Sequence, residues 1–188
     1  MRQRQPEMTR SALLDAAVEV MAEKGATGLT LDAVVERLSV SKGALLHHFP
    51  NKRALLEGVV DHLGQAFVDQ VNAAAAKHPE PYLRSARAYL TAVLDEPVTE
   101  RDVSIGLAAL SACATDRDLM ARWAGWVEKT KLDDPQDAAG ADDALLLRLV
   151  ADGLWFSDVV GAHGITQEQR RALGSVLLAG SHWMESKA

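Results

Sequence analysis

The run TLDAVVERLSVSKGALLHHFPNKRALL, residues Thr30 to Leu56, reads as two short helices, a tight joint and the entry to a third helix. Thr30 can cap the unpaired amides of a first helix whose apolar residues Leu31, Val34, Val35 and Leu38 share one face. Asp32 sits favourably near the positive end of that helix. Ser39 and Val40 form the joint. Ser41 offers a second cap, to a helix in which Ala44 and Leu45 turn inward while Lys42, Gly43, Leu46, His47 and His48 stay outward. Phe49 and Pro50 end it, Asn51 caps again, and a longer helix starts at Lys52 with Leu55, Leu56, Val59 and Val60 on its apolar side. Two helices meeting at a turn of three or four residues is the helix-turn-helix arrangement, and a slim, lightly basic second helix fits a DNA major groove about 12 Å wide. Spacing alone does not separate a pair that reads DNA from one that only packs.

The segment VSKGALLHHFPNKRALL, preceded by a capped helix, closely resembles the signature of the tetracycline-repressor (TetR) family, whose usual form is near GVSKGTLYHHFPNKEALL. The resemblance implies that Thr30 and Lys52 contact backbone phosphates, that Lys42, Gly43, Ala44, Leu46 and His47 face the groove together with the cap Ser41, and that His48 lies beside the backbone. A cation at a helix N-terminus, as Lys52 is, is poorly placed for its own helix and better explained by a phosphate. Two positions depart from the family pattern. Leu46 stands where Tyr is usual and offers only apolar contact, for example to a thymine methyl, which leaves the operator sequence open. Ser39 stands where Gly is usual, at a cost on the order of 1 kcal/mol if the joint needs a left-handed backbone.

The remaining sequence points to an all-α chain with two parts: a three-helix DNA-binding domain over residues 1–55 and a larger helical ligand-binding and dimerisation domain over residues 56–188. Ala, Leu, Glu and Arg dominate, and no alternating run with hairpin chemistry stands out. A net charge of −6 looks wrong for a DNA binder until it is divided. Through Gly58 there are eight Lys and Arg against seven Asp and Glu, which leaves twelve against nineteen for the rest, so the acidity belongs to the second part. Cys113 is the only cysteine, so no intrachain disulfide forms, as suits a reducing cytoplasm. Arg2 and Arg4 precede no apolar segment of signal-peptide type, and the apolar stretch Ile105 to Ala114 is too short for a bilayer. A soluble, cytoplasmic protein without membrane partners is expected.

Before the joint, Leu13, Leu14, Ala17, Val18 and Met21 give a helix from Thr9 to Lys24, closed by Gly25 as a left-handed cap, and Phe49 should plug the core of the resulting unit. Arg2 and Arg4 belong to a solvated tail or to an arm in a minor groove. Beyond it, the helix from Lys52 should run to the alanines Ala73–Ala76, with a further helix opening at Pro81 and closed by Pro97. Arg101 to Ala114 forms another helix. Asp116 caps one that runs to about Thr130, and Asp133, Asp134, Asp137 and Gly140 mark a solvated loop. Two longer helices finish the chain, the last introduced by the capping box Thr166–Gln169. In the resembled family this last pair meets its copy from another subunit in a four-helix bundle, which assigns dimerisation to Leu154, Val159, Leu173, Val176, Leu177 and Trp183.

Neither catalytic nor metal-ligating constellations rise above background, and no cofactor is implied. His47 and His48 point about 100° apart on a helix and make poor co-ligands. A Gly-x-Ser-x-Gly elbow and a phosphate-cradling glycine loop are both lacking. The family resemblance instead implies a small-molecule pocket among the middle helices, for which Phe67, Tyr89, Leu110, Cys113, Met120, Trp123, Trp126, Asp152, Trp155 and Phe156 are the candidates, although aromatics at helical spacing also serve as ordinary core. An isolated Asp152 or Asp158 facing such a pocket would favour a cationic or hydrogen-bond-donating ligand. The expected function is a homodimeric transcriptional regulator, a repressor released from a pseudo-palindromic double-stranded operator by a small-molecule effector. The same sequence is compatible with an activator, with a ligand-independent regulator, or with a helical binding module that has no DNA function.

Overall fold

The computed structural model describes residues 6–95, 98–131 and 133–180. Its first helix, α1 (Pro6–Gly28), buries Leu13, Leu14, Ala17, Val18 and Met21, the residues spaced to share one face. Gly25 takes a positive φ of 70°, but with ψ at 174° it kinks the helix instead of closing it as a left-handed cap, and a last turn reaches Gly28. Helices α2 (Leu31–Leu38), α3 (Lys42–His48) and α4 (Lys52–Ala75) each begin on a side-chain cap. Thr30 Oγ1 accepts from the Ala33 amide at 3.1 Å, Ser41 Oγ from Ala44 at 3.2 Å, and Asn51 Oδ1 from Ala54 at 2.8 Å. Between α2 and α3, Ser39 is left-handed at φ 54°, ψ 35°, the conformation for which the family's glycine is suited.

These helices close around Leu13, Leu29, Val34, Leu45, Phe49, Leu55 and Val59, all buried. Phe49 plugs this core. It presses so closely on α4 that a Cβ added at Gly58 would lie 2.7 Å from Phe49 Cε1 and 3.0 Å from Leu14 Cδ2. Ala108 and Ile105 of α6 (Glu100–Thr115) join the same core. Val60, Ala112 and Leu119 make a satellite cluster with Cys113 and Trp123, which brings in the start of α7 (Arg117–Glu128). Asp116 caps α7 as expected, accepting from the amides of Asp118 and Leu119 at 2.9 and 3.3 Å. The chain through Gly64 together with Glu100–Ala124 therefore forms one compact unit, which takes in more of the chain than residues 1–55.

The second unit comprises Gln65–Thr99 and the chain from Gly125 on. Helix α5 (Arg84–Leu94) starts three residues later than Pro81 because Leu83 turns left-handed, at φ 56°, and buries its side chain completely. The preceding Tyr82 hydroxyl donates to Asp143 Oδ2 at 3.3 Å. α5 lies on α8 (Ala138–Val160), which Asp137 caps through the Gly140 amide at 2.9 Å. Asp134 and Gly140 are not solvated as the sequence suggested. Gly140 is buried inside α8, and Asp134 is drawn inward by a buried guanidinium, that of Arg148. Arg148 donates to both Asp134 oxygens at 2.9 Å and to the Thr130 hydroxyl and carbonyl at 2.8 Å, and it stacks over the Tyr89 ring. Before α9 (Gln167–Gly180), the capping box forms in both directions: the Thr166 amide donates to Gln169 Oε1 at 2.9 Å and the Gln169 amide to Thr166 Oγ1 at 3.2 Å. Arg170 of α9 is buried, ion-paired to Asp158 of α8, and donates to the Val93 carbonyl of α5 at 3.1 Å. One buried charge thus ties three helices together.

Candidate nucleic-acid interface

Helix α3 has too few residues to hold itself in water and is fixed from below by Leu45 and, just past its end, Phe49. That anchoring decides what faces out. Ser41, Lys42, Gly43, Leu46 and His47 are exposed, while Ala44 and His48 are half-buried. Leu46 is an apolar side chain left 39% exposed on this helix. An added Cβ at Gly43 would meet nothing within 4 Å, so no contact inside the protein demands glycine there, and the backbone stands clear for close approach of a duplex. The two imidazoles lie edge to face at 5.3 Å.

The cations around α3 already have partners. Lys42 Nζ pairs with Asp32 at 2.7 Å, and Arg37 pairs with Glu23. Lys52 Nζ donates to the Thr27 carbonyl at 3.0 Å, which gives it a partner inside the chain at the end of α1. Arg53 meets Glu57 at 3.1 Å, Asp116 at 3.5 Å and also Asp118, and Arg122 reaches Asp61 at 2.8 Å. Sequence reasoning missed these pairings. Apart from the helical step from Arg53 to Glu57, their members are far apart along the chain and no spacing signals them. Arg2 and Arg4 lie outside the described residues.

The ligand-binding candidates separate between the units. Leu110, Cys113, Met120 and Trp123 belong to the first, and Phe67, Tyr89, Trp126, Asp152, Trp155 and Phe156 to the second. Phe67 and Tyr89 meet edge to face at 5.0 Å, and the Tyr89 hydroxyl donates to Asp152 Oδ1 at 2.7 Å. Burial first, and then that bond, push the Tyr89 phenol well above its ordinary range. Asp152 and Asp158 are therefore not the isolated carboxylates the sequence suggested, since Tyr89 and Arg170 hold them. Met120 and Phe156 are exposed, and Trp126 carries the Lys129 ammonium over its ring at 3.3 Å. Burial raises the Cys113 thiol, with Asp116 adding to the effect, which is the opposite of what a nucleophile needs. Among the described residues no group of three or more His, Cys, Asp or Glu could hold a metal ion, and no helix is long and apolar enough to cross a membrane.

The dimerisation candidates divide by exposure. Leu154 and Val159 are 6% and 2% exposed because they pack inside their own chain, so their side chains have no surface to give a partner. Leu177 is half-buried against the second core. Leu173 and Val176 are exposed on α9, and Trp183 lies outside the described residues. The apolar residues that α8 turns outward are Leu145, Leu146, Leu149, Phe156 and Val160.

Comparison with known proteins agrees with this geometry. A family model described as "Bacterial regulatory proteins, tetR family" matches residues 13–59, and one described as "Tetracyclin repressor-like, C-terminal domain" matches residues 83–182. The HTH-type transcriptional regulator BetI of Burkholderia thailandensis is 32% identical over 98 residues, 52% of this chain and 48% of that protein. BetI of Burkholderia ambifaria is 35% identical over 82 residues, 42% of each. The chain spans about half the length of the curated relatives it matches. Among solved structures, a transcriptional regulator from Pseudomonas aeruginosa PAO1 superposes with a TM-score of 0.69 at 16% identity, covering 95% of this chain and 92% of the other. A regulator from Saccharomonospora viridis in complex with choline gives 0.65 at 20% identity, covering 90% and 95%. These two likenesses bear on the fold alone. Because the C-terminal family model spans more than half of the residues and the N-terminal one falls on the helix-turn-helix, the chain belongs to the tetracycline-repressor family of DNA-binding transcriptional regulators, which are not enzymes.

Proposed function

We propose that this regulator is a homodimeric repressor, released from a pseudo-palindromic operator by a small organic effector. In this reading residues 1–55 read DNA, and residues 56–188 bind the effector and join the two copies. The observation that carries it is the exposed side of α3: Lys42, Gly43, Leu46 and His47 face solvent on a helix that Leu45 and Phe49 fix from beneath. Two such helices, about 34 Å apart, would enter successive major grooves, with Thr30 and Lys52 on phosphates and Ser41, Ala44 and His48 at the edge of the contact.

The outward apolar residues of α8 and α9 support pairing of two copies. Leu145, Leu149, Phe156 and Val160 of α8 and Leu173 and Val176 of α9 are large apolar side chains left exposed, the kind of surface that marks an interface when it is contiguous. An isologous contact of the same patch on both copies would cover them. For the effector, the carboxylate of Asp152, exposed although its Oδ1 accepts from Tyr89, supports a small nitrogenous molecule. Choline in the Saccharomonospora viridis structure, and imidazole with the multidrug binding protein EbrR, are ligands of that kind. The effector acts only through differential affinity. Turning a mostly bound population into a mostly released one takes roughly a 10⁴-fold preference for the released form.

The test is selection of duplexes from a random pool, then gel shift at two salt concentrations, then release by a panel of small amines. Failure to retain any duplex would refute the DNA reading. Retention that no amine relieves would refute the effector class.

A further inference from the structure

Lys42 opens the recognition helix, yet its ammonium is not left to solvent. It pairs with the Asp32 carboxylate of α2 at 2.7 Å, although the two side chains are 57% and 74% exposed. Stability does not account for the pair. Val34 and Leu45, both fully buried, carry the packing of α2 and α3, and an exposed ion pair adds little to folding. Asp32 also stands two residues after the cap Thr30, the residue proposed to meet a phosphate, so its carboxylate lies where a duplex repels it.

Resting on the DNA-binding reading above, we propose that Asp32 is a positioning residue that sets sequence discrimination by holding the Lys42 ammonium over the α2–α3 surface, so that it meets a base edge rather than the nearest phosphate. Lysine is a compact charge on a flexible stem. Unrestrained beside a duplex it settles on a phosphate, which adds affinity but carries no sequence information. Held by Asp32, it contributes only where a base acceptor stands opposite it. On any other duplex the carboxylate stays in place against the phosphates, and binding is penalised.

The experiment compares the full-length wild type with Asp32→Asn, Asp32→Glu, Lys42→Ala and the Asp32→Asn/Lys42→Ala double variant. Each is titrated with a duplex recovered from the random pool and with a scrambled duplex of equal length, over a range of salt. Asp32→Asn should bind the scrambled duplex about threefold to tenfold more tightly, with a salt slope steeper by about one, while the selected duplex changes less. Asp32→Glu should track the wild type, and Lys42→Ala should abolish the gain made by Asp32→Asn. Equal gains on both duplexes would overturn the proposal. So would a gain that persists without Lys42, because Asp32 would then act only by repelling phosphates. A wild type that retains no selected duplex overturns the DNA-binding reading itself, whereas a binding wild type with a neutral Asp32→Asn overturns this inference alone. Matching thermal midpoints show that the variants fold.

Discussion

Replacing Ser39 with glycine should stabilise the protein by roughly 0.5–1 kcal/mol. At φ 54°, ψ 35° the joint between α2 and α3 holds a Cβ against the following carbonyl, a cost of roughly 1–2 kcal/mol for a residue other than glycine. Glycine removes that cost but surrenders about 0.5–1 kcal/mol of chain entropy on folding, which leaves the net gain. Nothing else changes at the site. The Ser39 side chain is exposed, and the amide that donates to the Glu36 carbonyl at 3.4 Å is kept. For a chain of this length 1 kcal/mol corresponds to a rise of about 2–4 °C in Tm. Urea unfolding at fixed protein concentration should show a higher midpoint with an unchanged slope. Ser39→Val should move the other way, because a β-branched residue tolerates positive φ least. Leu83 is an internal control: it shares the same φ region, but its buried side chain makes Leu83→Gly destabilising by about 2–5 kcal/mol. A Ser39→Gly variant no more stable than wild type, with the slope unaltered, would refute the assignment of strain to the joint.

Arg148→Met should destabilise the second unit by about 3–5 kcal/mol in the same assay, since it takes the guanidinium away from the largely buried Asp134 carboxylate and from the Thr130 carbonyl. Lys52→Ala should weaken binding to selected and scrambled duplexes alike and lower the salt slope by about one, measured by fluorescence anisotropy, and a loss confined to one sequence would contradict a phosphate role. Val176→Asp, at a position 70% exposed, should leave the fold intact and convert dimer to monomer in sedimentation experiments. The Arg101 guanidinium bonds the Glu19 carboxylate and holds its pKa below the ordinary 4.5. A carboxyl depressed by folding stabilises the protein above its unfolded pKa and loses that contribution as pH falls through its folded value. The stability difference between wild type and Arg101→Ala should therefore be present at neutral pH and vanish in acid.

The first unit was legible because its signals are local. Thr30, Ser41 and Asn51 announce three helix starts within about three residues of the amides they cap, and Leu45 and Phe49 follow from the helical period. The second unit yielded less, because what shapes it joins distant positions. The burial of Asp134 depends on Arg148, fourteen residues on, and the late start of α5 depends on the left-handed turn of Leu83, whose side chain is buried in a core that α8 also lines. Periodicity placed Leu154 and Val159 on an apolar helix but could not tell which of its sides met α5 and which met water. The division of the ligand candidates between units was equally hidden, since it follows from Ile105 and Ala108 of α6 joining the N-terminal core.

The contact of Phe49 with the bare backbone of Gly58 has an evolutionary corollary. It holds α3 from its inner side, through atoms buried within the protein. Under the proposed DNA-binding reading, Lys42, Leu46 and His47 can then be exchanged to alter which site is read, while what holds α3 from beneath is left in place. On that reading new operators come within reach by changing one outward residue at a time. An alanine at Gly58 would spoil them all together.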